Sequence, residues 1–204
     1  VVTPSLAGSG SLGNYVSSGK AKKVHQRRSV GVSSRSSCQK ELSANSVELL
    51  VPKTKVVHKT SKARPSFFVK SNIAQLMPFK FILVDFQSGK PVVEANLALS
   101  QKGIKKIDLP SSLKLKPEKI YLWYVVIPCQ NSDDSSQSPF VLYSSVEFNP
   151  LSPKMLSQLQ NLDSDLEAAT FYTKNGFWYE ALDLSVHNYS NFLQKLLLSF
   201  NFQE

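Results

Sequence analysis

Three histidines, two cysteines and scattered acids are the residues of this 204-residue chain whose chemistry extends beyond packing. Nucleophilic catalysis needs a base beside the nucleophile. The histidines stand apart: His25 and His58 fall in a basic amino-terminal arm, and His187 on a helix near the carboxyl end, where it reads as a surface or packing residue. No Gly-x-Ser-x-Gly elbow occurs, and no Cys or His pair has a metal-ligand spacing such as Cys-x-x-Cys or His-x-x-x-His. Asp163, Asp165 and Glu167 are spaced like calcium ligands, yet acids at a helix start are favoured by the helix dipole with no ion. Asp133 and Asp134 sit in a polar loop and read as solvated. Residues 8–13, GSGSLG, match a dinucleotide fingerprint, but no strand leads in and no helix leads out, so the match reads as low complexity. The expectation is therefore no catalytic residue, no cofactor and no metal.

Two other groups of side chains bear on binding. The rings Tyr121, Trp123, Tyr143 and Trp178 are of the kind that stack on sugars, although Phe177, Trp178 and Tyr179 at the start of an amphipathic helix fit a helix seam better. Lys20, Lys22, Lys23, Arg27, Arg28 and Arg35 make the densest positive cluster. Residues 1–64 hold 12 Lys and Arg against 2 acids, and residues 65–204 hold 12 against 13, so the net charge of +9 belongs to the arm and the body is nearly neutral. The cluster has no aromatic residue to stack on a base, which makes nucleic acid a poor partner. It reads as a solvated linker, or as a contact to an anionic polymer or lipid.

The elements that would carry these side chains divide the chain in three. Residues 1–39 are rich in Ser, Gly, Lys and Arg and bury too little to order, so they read as a disordered tail. Residues 40–149 show about seven short segments of alternating polarity: VELLV at Val47, SFFVK after Pro65, FKFILVDF from Phe79, PVVEANLALS, IKKIDL, KIYLWYVVIP from Lys119 and FVLYSSVEF from Phe140. These predict an antiparallel, immunoglobulin-like β-sandwich. FKFILVDF and PVVEANLALS form a hairpin with Val93, Ala95, Leu97 and Leu99 on one face, and KIYLWYVVIP is apolar on both faces, as a covered central strand is.

From residue 150 the period becomes helical. Ser152 with Pro153 starts one helix, with Leu151 and Leu156 placed for a hydrophobic staple, and Ser164 with Glu167 caps a second. Asn175-Gly176 stops the second helix, a third begins near Phe177, and a greasy segment of about 192–200 closes the chain. Residues 150–204 thus form a helical segment packed on the sandwich. No stretch reaches the length of a membrane span. The chain begins at Val1, and a signal peptide removed before it would fit the Ser/Gly-rich start. Cys38 and Cys129 form one disulfide in an oxidising compartment, tethering the arm, or remain two thiols in a reducing one.

LWYVVIPC at 122–129, the Leu, Tyr and Trp-Tyr pattern leading into it from Leu115 to Tyr124, and AATFYTKNGFWYEAL at 168–182 resemble the cyanobacterial domain-of-unknown-function family 928. The run carried by Tyr172, Gly176, Trp178, Tyr179, Ala181 and Leu182 is the most specific part, and the Trp123-Tyr124 strand supports it. The resemblance implies an exported protein, periplasmic or extracellular, with Cys38 and Cys129 in the places of the family's two cysteines. It brings no known activity. The same Tyr, Gly and Ala-Leu spacing resembles one tetratricopeptide helical hairpin. The expectation is a non-enzymatic envelope module that binds another protein, prompted in part by the apolar final helix from Phe192; the alternative is a carbohydrate-binding module.

Overall fold

The structure is a computed structural model that describes residues 42, 46–52, 56–99, 102–128, 139–188 and 190–201. Among the described residues eight strands form: β1 (Val47–Leu49), β2 (His58–Thr60), β3 (Ser66–Ser71), β4 (Met77–Asp85), β5 (Pro91–Leu99), β6 (Gly103–Asp108), β7 (Ile120–Ile127) and β8 (Phe140–Phe148). Four helices follow: α1 (Pro153–Gln160), α2 (Asp165–Lys174), α3 (Trp178–Asn188) and α4 (Ser190–Asn201). The chain is mainly β, in two sheets. One has the order β1-β3-β6, and the other β2-β8-β7-β4-β5.

Seven of these strands coincide with the alternating segments of the sequence. The eighth, β2, does not, because His-Lys-Thr is polar and carries no apolar alternation. It also makes the fold not wholly antiparallel: β2 runs parallel to β8, with His58 opposite Val146 and Thr60 opposite Phe148. His58 therefore leaves the basic arm and belongs to the sheet, where it is buried.

β4 and β5 form the expected hairpin, with Phe81 opposite Ala95 and Leu83 opposite Val93. Asp85 organises the turn: its Oδ1 accepts from the Gln87 and Ser88 amides at 2.9 and 3.0 Å, and its Oδ2 accepts from Lys119 Nζ at 2.8 Å. The Lys119 hydrogen bond and the Ser88 amide lower the Asp85 pKa to about 2. Gly89, at φ +66°, supplies the left-handed residue the turn requires.

Period-2 alternation decides the core. It puts Phe79, Phe81 and Leu83 of β4, Trp123, Val125 and Ile127 of β7, and Phe140, Leu142 and Val146 of β8 on one buried face. Phe67 of β3 meets that face, its ring centroid 5.3 Å from Phe81 and 5.0 Å from Trp123, so both sheets share one core. Each large side chain so buried contributes about 2–3 kcal/mol.

β7 is central in the larger sheet, as its composition predicts, but only one of its faces is fully covered. Leu122, Tyr124 and Val126 on the other face are half-buried and belong to neither hydrophobic cluster.

The helix signals hold at the capping residues. The Ser152 hydroxyl accepts from the Met155 amide, and the Ser164 hydroxyl from the Glu167 amide, each at 3.3 Å. The expected staple does not form: Leu156 is 46% exposed, and Leu151 packs instead with Met155 and Leu159, which share a face at i,i+4 spacing. Gly176, at φ +80°, turns α2 into α3. The final helix is less free than its composition indicates, because Phe192, Leu193 and Leu196 enter the main core beside Trp178, Tyr179 and Leu182 of α3. No described helix is long and apolar enough to cross a membrane.

Candidate functional site

The aromatic motif is structural. Trp123, Trp178 and Tyr179 are at most 2% exposed, and Tyr121 is 4% exposed. The Tyr179 hydroxyl accepts from Trp123 Nε1 at 3.0 Å and donates to the Ser145 carbonyl at 3.0 Å, which ties α3 to the larger sheet. Trp178 Nε1 donates to the Leu50 carbonyl at 2.8 Å, which ties α3 to the end of β1. Buried rings have no face to offer a sugar, so Tyr121, Trp123 and Trp178 are not platforms. Tyr172, Ala181 and Leu182 are buried in the same helical seam, and Gly176 makes its turn.

The motif also carries a residue that its aromatic neighbours hide. Glu180 stands between Tyr179 and Ala181 and is 1% exposed. Its Oε1 accepts from the Thr60 hydroxyl at 2.5 Å and from the Ser61 and Lys62 amides at 3.1 and 3.2 Å. Its Oε2 has no hydrogen-bond partner. Burial pushes the carboxyl pKa up, opposed by the Thr60 hydroxyl and the Ser61 amide. Nearby Tyr172 is raised by burial and by the Glu180 charge.

Glu180 lines a cavity of about 650 Å³ bounded by all three helices α1 to α3 and by Lys62. Leu159, Leu162, Ala168 and Leu184 supply its apolar lining, while Asp163, Ser164 and Asp165 stand at the start of α2. Lys62 Nζ is paired with Asp183 Oδ2 at 3.3 Å, and Lys106 Nζ holds Asp183 Oδ1 at 2.7 Å. Burial raises the Asp183 carboxyl, and the Lys106 hydrogen bond with the Lys62 charge outweighs it, so the group titrates below its ordinary range. The unpartnered Glu180 Oε2 is itself fully buried, so the accessible lining is mainly aliphatic with the Lys62 and α2 amino-terminal groups at its rim.

A second surface lies on the outer face of the larger sheet. Tyr143 and Val141 of β8, Leu122, Tyr124 and Val126 of β7, and Ile82 and Val84 of β4 share it through the strand register, and all are half-buried. Tyr124 stands opposite Tyr143, ring centroids 5.6 Å apart. At one end lie Phe86 and Val92, 47% and 39% exposed. Val92 is the extra residue of the bulge that shifts the β4–β5 register.

Lys20, Lys22, Lys23, Arg27, Arg28, Arg35, Cys38, Cys129, residues 8–13, His25, Asp133 and Asp134 lie outside the described residues, as does the side chain of His187. Asp163 precedes α2 and Asp165 and Glu167 fall in its first turn, where Glu167 Oε2 accepts from the Asp163 amide at 2.9 Å. Among the described residues no cluster of three His, Cys, Asp or Glu could hold a metal ion. Sequence reasoning missed Glu180 and His58. Glu180 had a signal: at i−3 and i+4 stand Phe177 and Leu184, which puts an acid on an apolar stripe.

A mainly β chain with a carboxyl-terminal helical seam built on this aromatic run matches the family model Domain of Unknown Function (DUF928) over residues 30–198. The chain belongs to that family. No curated protein matches it. Among solved structures, it is similar to a lytic polysaccharide monooxygenase important for efficient utilization of chitin in Cellvibrio japonicus, at 10% identity and a TM-score of 0.30, over 47% of this chain and 57% of the other. The match thus spans little more than half of that protein, and a likeness at this level carries no argument about function.

Proposed function

We propose that this protein is a non-enzymatic, extracytoplasmic binding module that docks another protein on the outer face of the larger sheet. The observation that carries the reading is the contiguous apolar row of Ile82, Val84, Leu122, Tyr124, Val126, Val141 and Tyr143 on strands whose opposite face is already the core. Apolar patches of this kind mark protein interaction sites, and tyrosines are favoured at their centres. In this reading the two sheets form an immunoglobulin-like sandwich, and the α2–α3 hairpin, a single tetratricopeptide-like unit, buttresses it rather than forming a groove of its own. Cys38 and Cys129 form a disulfide in the periplasm or outside the cell, and the arm residues Lys20, Lys22, Lys23, Arg27, Arg28 and Arg35 contact an anionic envelope polymer or lipid.

The test is a photo-crosslinking amino acid placed at position 126, with a second placed at the exposed Lys154 as control, in cells exporting the full chain. One discrete heavier adduct at 126 and none at 154 is the expected result. A cross-link from 126 to residues 1–41 of the same chain would contradict the reading, since the face would then be covered internally.

The carbohydrate-binding alternative rests on the half-buried Tyr124–Tyr143 pair on the outer sheet face. Saturable perturbation of these two tyrosines by a soluble polysaccharide, lost in Tyr143→Ala, supports it. Unchanged tyrosine resonances in a panel of envelope and cell-wall glycans count against it.

A further inference from the structure

We propose that β5 is a self-association edge: two copies of the chain pair their β5 strands antiparallel about a two-fold axis through Ala95, joining their larger sheets into one of ten strands. Exposed edges are templates for pairing, and proteins keep them short, charged or covered. Among the described residues the other three edges follow that rule. β1 has three residues, β2 has three and meets Phe177 through a bridge at Lys59, and β6 carries Lys105 and Lys106 mid-strand. β5 has nine residues, pairs only with β4 among the described residues, and holds the single charge Glu94.

The ladder shows which groups β5 leaves open. The Phe86 amide donates to the Ile120 carbonyl, in the register that sets Val84 opposite Leu122 and Ile82 opposite Tyr124. Alternate residues of a strand turn their peptide groups to opposite sides, so Ile82 and Val84 face β7 while Phe81 and Leu83 face β5. The Asp85 amide continues that series by donating to the Lys90 carbonyl. Ala95 and Val93, opposite Phe81 and Leu83, therefore spend their peptide groups on β4. Glu94, Asn96 and Ala98 turn theirs to the open edge.

The residue pattern selects a second copy as the occupant. With Ala95 on the axis, Glu94 of one copy exchanges ladder hydrogen bonds with Asn96 of the other, so the strand's acid faces an amide rather than itself. Lys80, 3.6 Å from Glu94 of its own chain, stands opposite Asn96 and so shares a row with the other copy's Glu94. On the core side Val93 faces Leu97 across the seam; both are half-buried at the rim of the core and gain cover. No residue of the seam belongs to the apolar row on which the proposed function rests, so either can fail alone.

The experiment is sedimentation equilibrium of the full chain, with amide hydrogen exchange followed by NMR. The expected result is a monomer–dimer equilibrium in which exchange at Glu94, Asn96 and Ala98 slows as concentration rises. Asn96→Glu sets acid against acid twice across the seam and weakens the dimer about tenfold; adding Glu94→Lys restores it, because each pair is then opposite in charge. Asn96→Pro removes a donor that faces away from β4, so the fold is kept and the dimer lost. Should Asn96→Pro not fold, the exposed Asn96→Glu and its rescue decide. A chain still monomeric at about 1 mM, a dimer indifferent to the folded variants, or a double variant no tighter than Asn96→Glu overturns the proposal. So does slow exchange of these amides where the chain is monomeric, which gives the edge to another segment of the same chain.

Discussion

Tyr179 shows how one hydroxyl joins two layers. It accepts from Trp123 Nε1 and donates to the Ser145 carbonyl, all in the buried interior. Tyr179→Phe keeps the ring and removes both hydrogen bonds, so chemical denaturation should show a loss of about 1–3 kcal/mol; a change under about 0.5 kcal/mol would mean that the bridge is not formed. His58 makes a pH-dependent contribution. Burial lowers its pKa from 6.5 to about 4, against a Pro52 backbone hydrogen bond that raises it. Between those values the unfolded chain binds the proton and the folded chain does not, so stability rises with pH in that window and falls as pH drops through it. The loss from pH 7 to pH 4 is about 3 kcal/mol for this group. His58→Gln should flatten the corresponding part of the stability profile, and an unchanged slope in the variant would sink the assignment. At this scale Trp178 was legible, because rings at the start of an amphipathic helix fill a seam, whereas Trp123, fully buried, stood among the rings that could stack on sugars. Glu180 was not singled out: its burial depends on the loop after β2, which pairs with it across 118 to 120 residues.

Among the elements, legibility follows apolar alternation: three-residue β1 shows within VELLV, whereas three-residue β2, His-Lys-Thr, does not. Strands of six to nine residues such as β4, β5, β7 and β8 show their alternation, and the helix caps at Ser152 and Ser164 show their spacing. β2 has three residues and sits in a stretch whose charge marks it as arm; only its neighbours β8 and α3 make it a strand. The final helix misled in the other direction, since composition records apolar residues without saying whether a partner or the chain's own core covers them. The α2–α3 turn is a case where residue type is decisive. At φ +80° a Cβ is disfavoured, so Gly176→Ala should lower stability by about 1–2 kcal/mol. Thermal unfolding checks this; an unchanged midpoint would show that the turn relaxes to another geometry.

Among the described residues, the two sheets and the seam of α3 and α4 close over one core, and the apolar side chains on the outer face of the larger sheet belong to neither cluster. The order β2-β8-β7-β4-β5 could not be read from the chain, because every pairing except the β4–β5 and β7–β8 neighbours joins segments distant in sequence. That order is nonetheless what sets Tyr124 beside Tyr143 and Ile82 and builds the face. The most direct measurement is the affinity of the cross-linked partner for the wild type and for Val126→Lys. A lysine at this half-exposed position is tolerated in the free protein but must be desolvated in a complex. The account predicts at least about a hundredfold weaker binding, or about 2.7 kcal/mol, with an unchanged unfolding midpoint. Equal affinity of the two proteins would contradict it and move the partner to another surface.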